Sequence, residues 1–432
     1  MVQYNNMKDT IIGTIPYDWQ VKKLGDGAYI KARIGWRGLS SKEYTEDGPY
    51  LIAGTHIKGP RIIWDACDHI SLERYEESPE IQLKVGDVIL TKDGTIGRLG
   101  YIDELPGPAT INGTMMLVRP DESFYPKFLY YYFQGPYFQA LIKEKVSGSS
   151  VPHIFQRDMV NLSVPVPSIK EQHKIADILT SIDMAISKTE SIIEQTEKVK
   201  KGLIQQLLTK GIGHTKFKQT EIGEIPEVWD LMQLDEMSTK ITDGTHQSPV
   251  FIDEGIPFLL VSNIAKGFID WNTNKFISHD TFNQLTKYVK VDVGDILYTA
   301  VGSYGVSVVV ESDNKFSFQR HIALIKPKNE VVNSKYLSYF LNSPFGKNQA
   351  DKLAVGNAQK TVTLGSLSKF VIPIPNKTEQ EEIVNVLTKI DQKLGVEQQQ
   401  INTLTKIKRG LMQSLLTGKV RVKVDDQEAV TT

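Results

Sequence analysis

Residues 168–211 read SIKEQHKIADILTSIDMAISKTESIIEQTEKVKKGLIQQLLTKG, and this stretch decides the fold. Ser168 followed by Glu171 forms an S-x-x-E capping box, which predicts that a helix begins there. Gly211 stands where a left-handed residue would end that helix. The length predicts a rod of about 60 Å, and its apolar face needs a partner helix, as in a coiled coil. The apolar stripe, interrupted by Thr189 and Thr196, consists of Ile175, Ile178, Leu179, Ile182, Ala185, Ile186, Ile192, Ile193, Val199, Leu203 and Leu207.

The partner helix lies in the same chain, at residues 376–418, which read NKTEQEEIVNVLTKIDQKLGVEQQQINTLTKIKRGLMQSLLTG. Asn376 and Glu379 repeat the cap, and Glu379 lies 208 residues after Glu171. This constant offset indicates an internal duplication. The second stripe consists of Ile383, Val386, Leu387, Ile390, Leu394, Ile401, Leu404, Ile407, Leu411 and Leu415.

The repeat extends beyond the helices into two segments of mostly β character. A G-x-I-P-x-x-W motif begins at Gly13 and again at Gly223, and residues 85–90 return as residues 293–298. Short apolar runs between Gly, Asp and Pro residues predict strands in both halves. Aromatic-rich stretches at 124–139 and 336–345 predict helices that pack on these sheets, with the aromatic side chains in the core. The predicted domains are residues 1–168, 169–213, 214–376 and 377–432.

Composition limits the possible functions. A chain of 432 residues is expected to form two or more domains. No apolar run reaches the length of a membrane span, and the first residues lack a signal-peptide core, so we expect a cytoplasmic protein. The formal net charge of −1 counts against nucleic-acid binding unless the basic residues are sorted onto one face.

Catalytic signatures are missing from the sequence. There is no phosphate-binding loop or dinucleotide fingerprint, and the glycine-rich segment 94–100 is typical of a turn. The scattered histidines predict no metal site. Cys67, the single cysteine, is expected to be buried and structural rather than paired with His69. Asp65 and Asp68 could bind Mg²⁺ or could simply belong to a polar loop.

Loops rich in basic and amide side chains occur in both halves. Arg and Lys suit guanine edges and phosphates, whereas Asn and Gln suit adenine. Each loop alone is typical of a solvated turn, and their recurrence at matching places in both halves leaves a binding face and solvated turns equally open. The first-half candidates are Lys31, Arg33, Trp36, Arg37, Thr55, His56, Lys58, Lys92, Arg98, Ser149 and Ser150. The second-half candidates are Lys240, Thr242, Thr245, His246, Gln247, Ser262, Asn263, Lys266, Gln319, Arg320, His321, Asn357, Gln359 and Lys360.

Taken in order, these motifs resemble the specificity subunit of type I restriction–modification enzymes over nearly the whole chain. The resemblance rests on the two G-x-I-P-x-x-W openings and on Asp-Gly-Thr-His at residues 243–246. It rests also on the Pro-x-Pro junctions at Pro165 and Pro373 and on the Leu-Leu-Thr helix ends. The first half departs from the pattern, because it lacks Asp-Gly-Thr-His. This departure favours a different DNA half-site.

The resemblance implies an α+β fold. Two mixed α/β target-recognition domains, residues 1–168 and 214–376, would alternate with two long spacer helices. The helices would pack as an antiparallel coiled coil, and the halves would be related by a pseudo-two-fold repeat.

The resemblance also implies a function. Each domain would read one half of a split double-stranded DNA site, and the chain itself would hold no catalytic residue, metal or cofactor. Two methylation subunits would bind S-adenosylmethionine and methylate adenine N6, while restriction subunits would use ATP and Mg²⁺. No membrane partner is expected. The alternatives are a stand-alone nuclease or DNA-processing enzyme that dimerises through the helices, and an adaptor that binds only proteins.

Overall fold

The computed structural model describes residues 2–3, 6–32, 39–59, 61–147, 152–356 and 359–424. The chain divides into two compact units. Unit one comprises Met1–Ser191 and Gln399–Thr432, and unit two comprises Ile192–Gln398. Among the described residues, no helix combines the length and the apolarity that crossing a membrane requires.

Strands dominate the first half of the chain until a long helix begins. The strands are β1 (Val2–Gln3), β2 (Met7–Thr10), β3 (Gly13–Pro16), β4 (Gln20–Lys23), β5 (Ala28–Ala32), β6 (Tyr44–Ile52), β7 (Ile57–Lys58), β8 (Arg61–Ile62), β9 (Asp68–Ile70), β10 (Val88–Thr91), β11 (Leu99–Tyr101), β12 (Ala109–Ile111), β13 (Met115–Pro120) and β14 (Ser163–Val166). The helices are α1 (Leu72–Glu76), α2 (Pro126–Gln134), α3 (Pro136–Ser147), α4 (Gln156–Val160) and α5 (Ile169–Leu207).

The second half repeats this order. Its strands are β15 (Phe217–Thr220), β16 (Gly223–Pro226), β17 (Asp230–Gln233), β18 (Ser238–Asp243), β19 (Ile256–Leu259), β20 (Phe276–Ile277), β21 (Ile296–Thr299), β22 (Ser307–Val309), β23 (Ser317–Phe318), β24 (Ile322–Pro327), β25 (Val371–Ile374) and β26 (Val420–Arg421). Its helices are α6 (His279–Thr286), α7 (Ser334–Asn342), α8 (Pro344–Leu353), α9 (Leu364–Leu367) and α10 (Lys377–Leu415).

The two halves share one sheet topology, which confirms the internal repeat. A four-stranded antiparallel sheet has the order β11-β10-β13-β5 in the first half and β22-β21-β24-β18 in the second. A three-stranded sheet has the order β12-β6-β9 in the first half and β23-β19-β20 in the second. In each of these smaller sheets one pair is parallel, β12 with β6 and β23 with β19.

Each central strand is buried on both faces, which explains its continuous apolar sequence. In β10, Val88 and Leu90 belong to the core that contains α2, whereas Ile89 belongs to a second core beneath the three-stranded sheet. Strand β21 alternates in the same way, with Tyr298 on the helix side and Leu297 on the other side.

The aromatic stretch after β13 forms two helices rather than one, because α2 ends at Gln134, Gly135 caps it and Pro136 begins α3. Its aromatic side chains are core residues, as predicted.

Both long helices begin where the sequence predicts. The Glu171 N–H donates to Ser168 Oγ at 3.3 Å, and the Glu379 N–H donates to Asn376 Oδ1 at 3.0 Å. Helices α5 and α10 each contain 39 residues. The regular helices end at Leu207 and Leu415, a few residues before the left-handed glycines at the ends of the predicted stretches.

Within each unit, segments of α5 and α10 run antiparallel, as the resemblance implies. In unit one, Lys408 Nζ lies 2.7 Å from Asp183 Oδ1, whereas the later Arg421 contacts the earlier Glu171. In unit two, Lys200 Nζ lies 2.5 Å from Asp391 Oδ1. Lys200 and Lys408 differ by the repeat offset of 208, and so do Asp183 and Asp391, so one ion pair occurs twice.

The predicted apolar stripes are wrong at three positions. Val199 and Ile407 are both predicted members of the apolar stripes, but they are 57% and 47% exposed. Thr189, which interrupts the apolar stripe in the sequence, is only 3% exposed. Its hydroxyl donates to the Ala185 carbonyl at 2.9 Å, so the helix itself satisfies the buried polar group.

The repeated ion pair predicts how a half-length chain would assemble. A fragment of residues 1–213 contains Asp183 and Lys200 but lacks Lys408. We expect two copies to associate, with the Lys200 of one copy next to the Asp183 of the other, because Lys200 is the repeat equivalent of Lys408. Asp183→Lys should weaken this dimer by about 1.5–3 kcal/mol for each of the two pairs.

Analytical ultracentrifugation of the fragment measures this equilibrium. The double variant Asp183→Lys with Lys200→Asp should restore the dimer, because it reverses both charges. A wild-type fragment that is folded yet monomeric at all concentrations would contradict the prediction.

Candidate nucleic-acid interface

In unit two, main-chain hydrogen bonds gather two of the predicted loops at one end of the sheets. The Thr245 N–H donates to the Phe318 carbonyl at 3.1 Å, and the Arg320 N–H donates back to the Thr245 carbonyl at 3.1 Å. The Gln319 N–H donates to the Leu259 carbonyl at 3.2 Å. These bonds place Thr245, His246, Gln247, Gln319, Arg320 and His321 side by side.

Gly244 makes this close approach possible. A Cβ added there would lie 2.2 Å from the Phe318 carbonyl oxygen and 2.6 Å from that of Gln319. Backbone cannot yield as the end of a flexible side chain can, so only glycine fits. The following His246 is exposed, and its Nε2 lies 2.9 Å from Asp243 Oδ2. The Asp-Gly-Thr-His motif is therefore a loop that presents polar side chains to solvent.

The polar loop before α10 joins the same cluster. The Ala300 N–H donates to the His321 carbonyl at 2.9 Å, and the Gly302 N–H donates to the Lys360 carbonyl at 3.2 Å. Gln359 and Lys360 are exposed next to these bonds. We call the exposed loops at residues 243–247, 319–321 and 359–360 the loop cluster of unit two.

Ser262 and Asn263 have different environments although they are adjacent. Asn263 is 8% exposed, its Oδ1 accepts the Leu260 N–H at 2.9 Å, and its Nδ2 donates to the Asp270 carbonyl at 3.0 Å. Both ends of its amide are thus used inside the protein. Ser262 and Lys266 are exposed on the same loop.

In unit one, Arg98 connects the corresponding loops. Its Nη1 donates to the Gly54 carbonyl at 2.5 Å, which joins the turn after β10 to the loop that carries Thr55 and Lys58. A cleft of about 700 Å³ opens between Lys58, Arg98, α2, α3 and Lys408. Lys408 already contacts Asp183 and Arg98 binds the Gly54 carbonyl, so Lys58 provides the least constrained positive charge of this cleft.

Other predicted residues of unit one have structural contacts. His56 is 8% exposed, and its Nδ1 accepts the Ala53 N–H at 3.1 Å. Lys92 lies 2.7 Å from Asp93, which also contacts His153. The Lys31 ammonium lies 5.9 Å from the Tyr29 ring centre, on strand β5. His56 and Lys92 are thus held by contacts of their own loops, whereas Lys31 lies on a strand.

Two further predicted residues of unit two lie on strand β18, before the loop cluster. The Lys240 ammonium donates to the Tyr288 carbonyl at 3.1 Å, close to the end of α6. Thr242 pairs with Leu324 within the sheet. The remaining predicted residues, namely Arg33, Trp36, Arg37, Ser149, Ser150 and Asn357, lie outside the described residues.

The structure adds residues that the sequence did not single out. Asn112, Gly113 and Thr114 occupy the place of Gln319, Arg320 and His321, because the Asn112 N–H donates to the Ile52 carbonyl as Gln319 does to Leu259. The offset of 207 residues between these two segments was the signal that could have revealed them.

Cys67, the single cysteine, is not suited to nucleophilic chemistry. Burial raises the pKa of the Cys67 thiol to about 12, and the nearby Asp68 carboxylate adds to the shift. The thiol therefore stays protonated and unreactive at neutral pH. Within the described ranges, no three His, Cys, Asp or Glu side chains group as a metal site.

The two buried capping residues yield a stability prediction. Asn263→Ala and His56→Ala should each lower the free energy of unfolding by about 1–3 kcal/mol, because a backbone N–H loses its acceptor. Ser262→Ala and Thr55→Ala, at the exposed neighbours, should change it by less than about 0.5 kcal/mol. Urea unfolding followed by circular dichroism measures all four variants. Equal effects within each neighbouring pair would contradict the assignment.

Comparisons with known proteins agree with this architecture. The family model of the type I restriction modification DNA specificity domain matches twice, at residues 16–198 and 226–406. The MjaVIII specificity subunit of Methanocaldococcus jannaschii is 27% identical over 95% of this chain and 94% of that protein. The putative MjaX specificity subunit of the same organism is 30% identical over 97% of each chain.

Two solved structures share the fold. An S subunit from M. genitalium aligns with a TM-score of 0.56 and 15% identity over 92% of this chain and 96% of that chain. A chain from a structure of type I R-M system assembly aligns with a TM-score of 0.57 and 16% identity, over 94% of this chain and 99% of that chain. Because the family model matches both repeats and covers most of the sequence, the chain belongs to the specificity subunits of type I restriction–modification systems.

Proposed function

We propose that this chain reads a bipartite double-stranded DNA site, with one half-site for each target-recognition domain. The observation that carries the proposal is the gathering of separately predicted loops into one exposed cluster in unit two. The chain itself supplies recognition and no catalytic step, because it is a specificity subunit. The alternative of a stand-alone nuclease therefore has no support.

The loop cluster of unit two combines side chains suited to bases and to phosphates. Gln247 and Gln319 carry amides that can pair with adenine, and Arg320 carries a guanidinium that can bind guanine at two points. Lys360 and Lys266, the latter 3.5 Å from Asp270 Oδ2, are exposed cations suited to phosphates. Thr245, His246, Ser262, His321 and Gln359 complete the proposed interface.

The proposed interface of unit one is chemically different. It consists of Thr55, Lys58 and Arg98, beside Asn112 and Thr114. At the repeat position where unit two has Arg320, unit one has Gly113. Different side chains in one frame favour two unlike half-sites.

The net charge of −1 is compatible with DNA binding if basic side chains lie together on one face. Lys58 and Arg98 in unit one, and Lys266, Arg320 and Lys360 in unit two, lie at loop ends. Asp183 and Asp391 pair with lysines on the helices, whereas Asp243 and Asp270 accompany His246 and Lys266 at the loops of unit two. A neutral chain can therefore present a locally positive surface to DNA.

We assign the methyl transfer and cleavage to partner subunits. Methylation subunits would bind S-adenosylmethionine and modify adenine N6, and restriction subunits would use ATP and Mg²⁺. The proposed location is the cytoplasm, where the DNA is found.

Two equivalent patches on the helices support two methylation subunits per chain. Val199 on α5 and Ile407 on α10 are exposed at the same repeat position. Three residues later, Gly202 and Gly410 lie on the same helix face, and an added Cβ would meet nothing within 4 Å. A helical glycine costs about 1 kcal/mol relative to alanine, and no packing among the described residues explains either glycine. The close approach of a partner protein to these helix faces would explain both glycines.

The first test concerns the half-sites. We expect Arg320→Ala, in complex with the methylation subunits, to relax base choice in one half-site by about 1–3 kcal/mol. The exposed Lys369, before β25 and outside the loop cluster, provides the control Lys369→Ala. Selection from randomised bipartite sites measures both variants. Equal relaxation of both half-sites would contradict one domain per half-site.

The second test concerns stoichiometry. Val199→Glu or Ile407→Glu should each remove one of two bound methylation subunits, because a charge replaces an apolar contact. The double variant should bind none. Met184→Glu is the control, since Met184 is also exposed but its repeat equivalent is Gln392. Native mass spectrometry counts the subunits, and two subunits bound to every variant would exclude these patches.

A further inference from the structure

One turn has the same geometry in both domains although its sequence differs. In unit one, the Ala53 N–H donates to His56 Nδ1, and the Ile63 N–H donates to the His56 carbonyl at 2.9 Å. In unit two, the Leu260 N–H donates to Asn263 Oδ1, and the Asp270 N–H donates to the Asn263 carbonyl at 2.7 Å. A ring nitrogen in one domain thus replaces an amide oxygen in the other.

Each of these turns supports a projecting segment. We call residues 57–62 the first finger and residues 264–269 the second finger; Pro60 lies outside the described residues. In the first finger β7 pairs with β8, so that Ile57 faces Ile62. The second finger is a loop that returns to the Asn263 carbonyl.

Both fingers carry an exposed lysine followed by a left-handed glycine. Lys58 precedes Gly59, whose φ is +59°, and Lys266 precedes Gly267, whose φ is +85°. A Cβ added at either glycine would meet nothing within 4 Å, so the backbone angle rather than space requires glycine. The flanking turns are offset by 207 residues, as His56 and Asn263 show, whereas the two lysines are 208 residues apart. Lys58 is therefore the second residue of its finger and Lys266 the third.

The fingers lie at the same end of the sheets as the proposed base-reading loops. The carbonyls of Ile52 and Leu259 accept the N–H groups of Asn112 and Gln319, and the finger turns begin one residue later. In unit one, Arg98 also binds the Gly54 carbonyl inside this turn. Each finger therefore projects beside the residues proposed to contact DNA.

The fingers differ at their fifth residues, which share the 207-residue offset. The first finger carries the exposed Arg61 and the second carries Phe268, which is 53% exposed. More than half of Phe268 is therefore open to solvent. Arginine contacts DNA bases by hydrogen bonds to guanine edges, whereas phenylalanine makes apolar contacts with bases.

We propose that the two fingers are a common DNA-contacting device, in which each finger carries one lysine and one variable position, its fifth residue. Lys58 and Lys266 bind a backbone phosphate. Arg61 and Phe268 contact bases and contribute to the different sequences of the two half-sites. This proposal rests on the proposed DNA-reading function and assigns it a specificity-determining pair.

The lysines are tested by the salt dependence of DNA binding, with the chain in complex with its methylation subunits. Lys58→Ala and Lys266→Ala should each reduce the slope of log K against log salt by about 0.9, because one phosphate contact is lost. The selected sequence should stay the same. Lys290→Ala is the control, since Lys290 is exposed and paired with Asp292 away from the fingers.

The variable position is tested by selection from randomised bipartite sites. Phe268→Ala should lower the base preference at one position of the second half-site by about tenfold. The slope of log K against log salt should not change. Arg61→Ala should do the same in the first half-site only. Phe268→Arg should create a new preference for guanine in the second half-site.

The outcomes separate the fingers from the proposed function. If the wild-type complex selects a bipartite site and Arg320→Ala relaxes it, but the finger variants change neither sequence nor salt slope, the finger proposal is wrong and the function stands. If the wild-type complex selects no sequence, both are wrong. Urea unfolding midpoints equal to wild type confirm that each variant is folded.

Discussion

A buried glutamate at the start of each long helix connects the parts of each unit. Glu171 accepts the indole N–H of Trp19 at 3.1 Å and the Arg421 guanidinium at 2.5 and 2.8 Å. Its side chain is 2% exposed, so the charge is stable only because these donors surround it. Asp18 also binds Arg421, and that hydrogen bond lowers the pKa of the Asp18 carboxyl. One carboxylate thus joins the segment after β3, the start of α5 and strand β26.

Unit two builds the same junction with different donors. Glu379 accepts the Trp229 indole N–H at 3.0 Å and the Ile212 N–H at 2.9 Å, and it lies 2.8 Å from His214 Nε2. A backbone N–H and an imidazole thus replace the guanidinium. The next residues agree as well, since Gln172 and Gln380 both accept an N–H from the segment that leads into the aromatic helix. The geometry of each junction is kept while the chemistry around it varies.

The sequence predicts features that depend on periodicity, and it misses those that depend on which side chains meet. The helix starts, the central strands and the repeat follow from capping residues and apolar spacing. The exposure of Val199 could not be foreseen, because an apolar residue at the right spacing is indistinguishable from a seam residue until the partner helix is placed. For the same reason, His56 and Asn263 looked like base readers. Both have polar side chains on exposed-looking loops, and only the fold shows that each one caps its own turn.

The shared turns also explain how one frame can serve two recognition surfaces. A buried polar cap constrains the backbone strongly, because an unpaired N–H in the interior is costly. The cap therefore fixes where each finger emerges, whichever of histidine or asparagine supplies the acceptor. Beyond the cap, the finger tips are surrounded by solvent, as the open space around Gly59 and Gly267 shows. Side chains there can change with little effect on folding. The buried polar contacts thus stabilise the fold, and the exposed tips are available for recognition. A substitution at a finger tip can therefore change recognition without lowering stability.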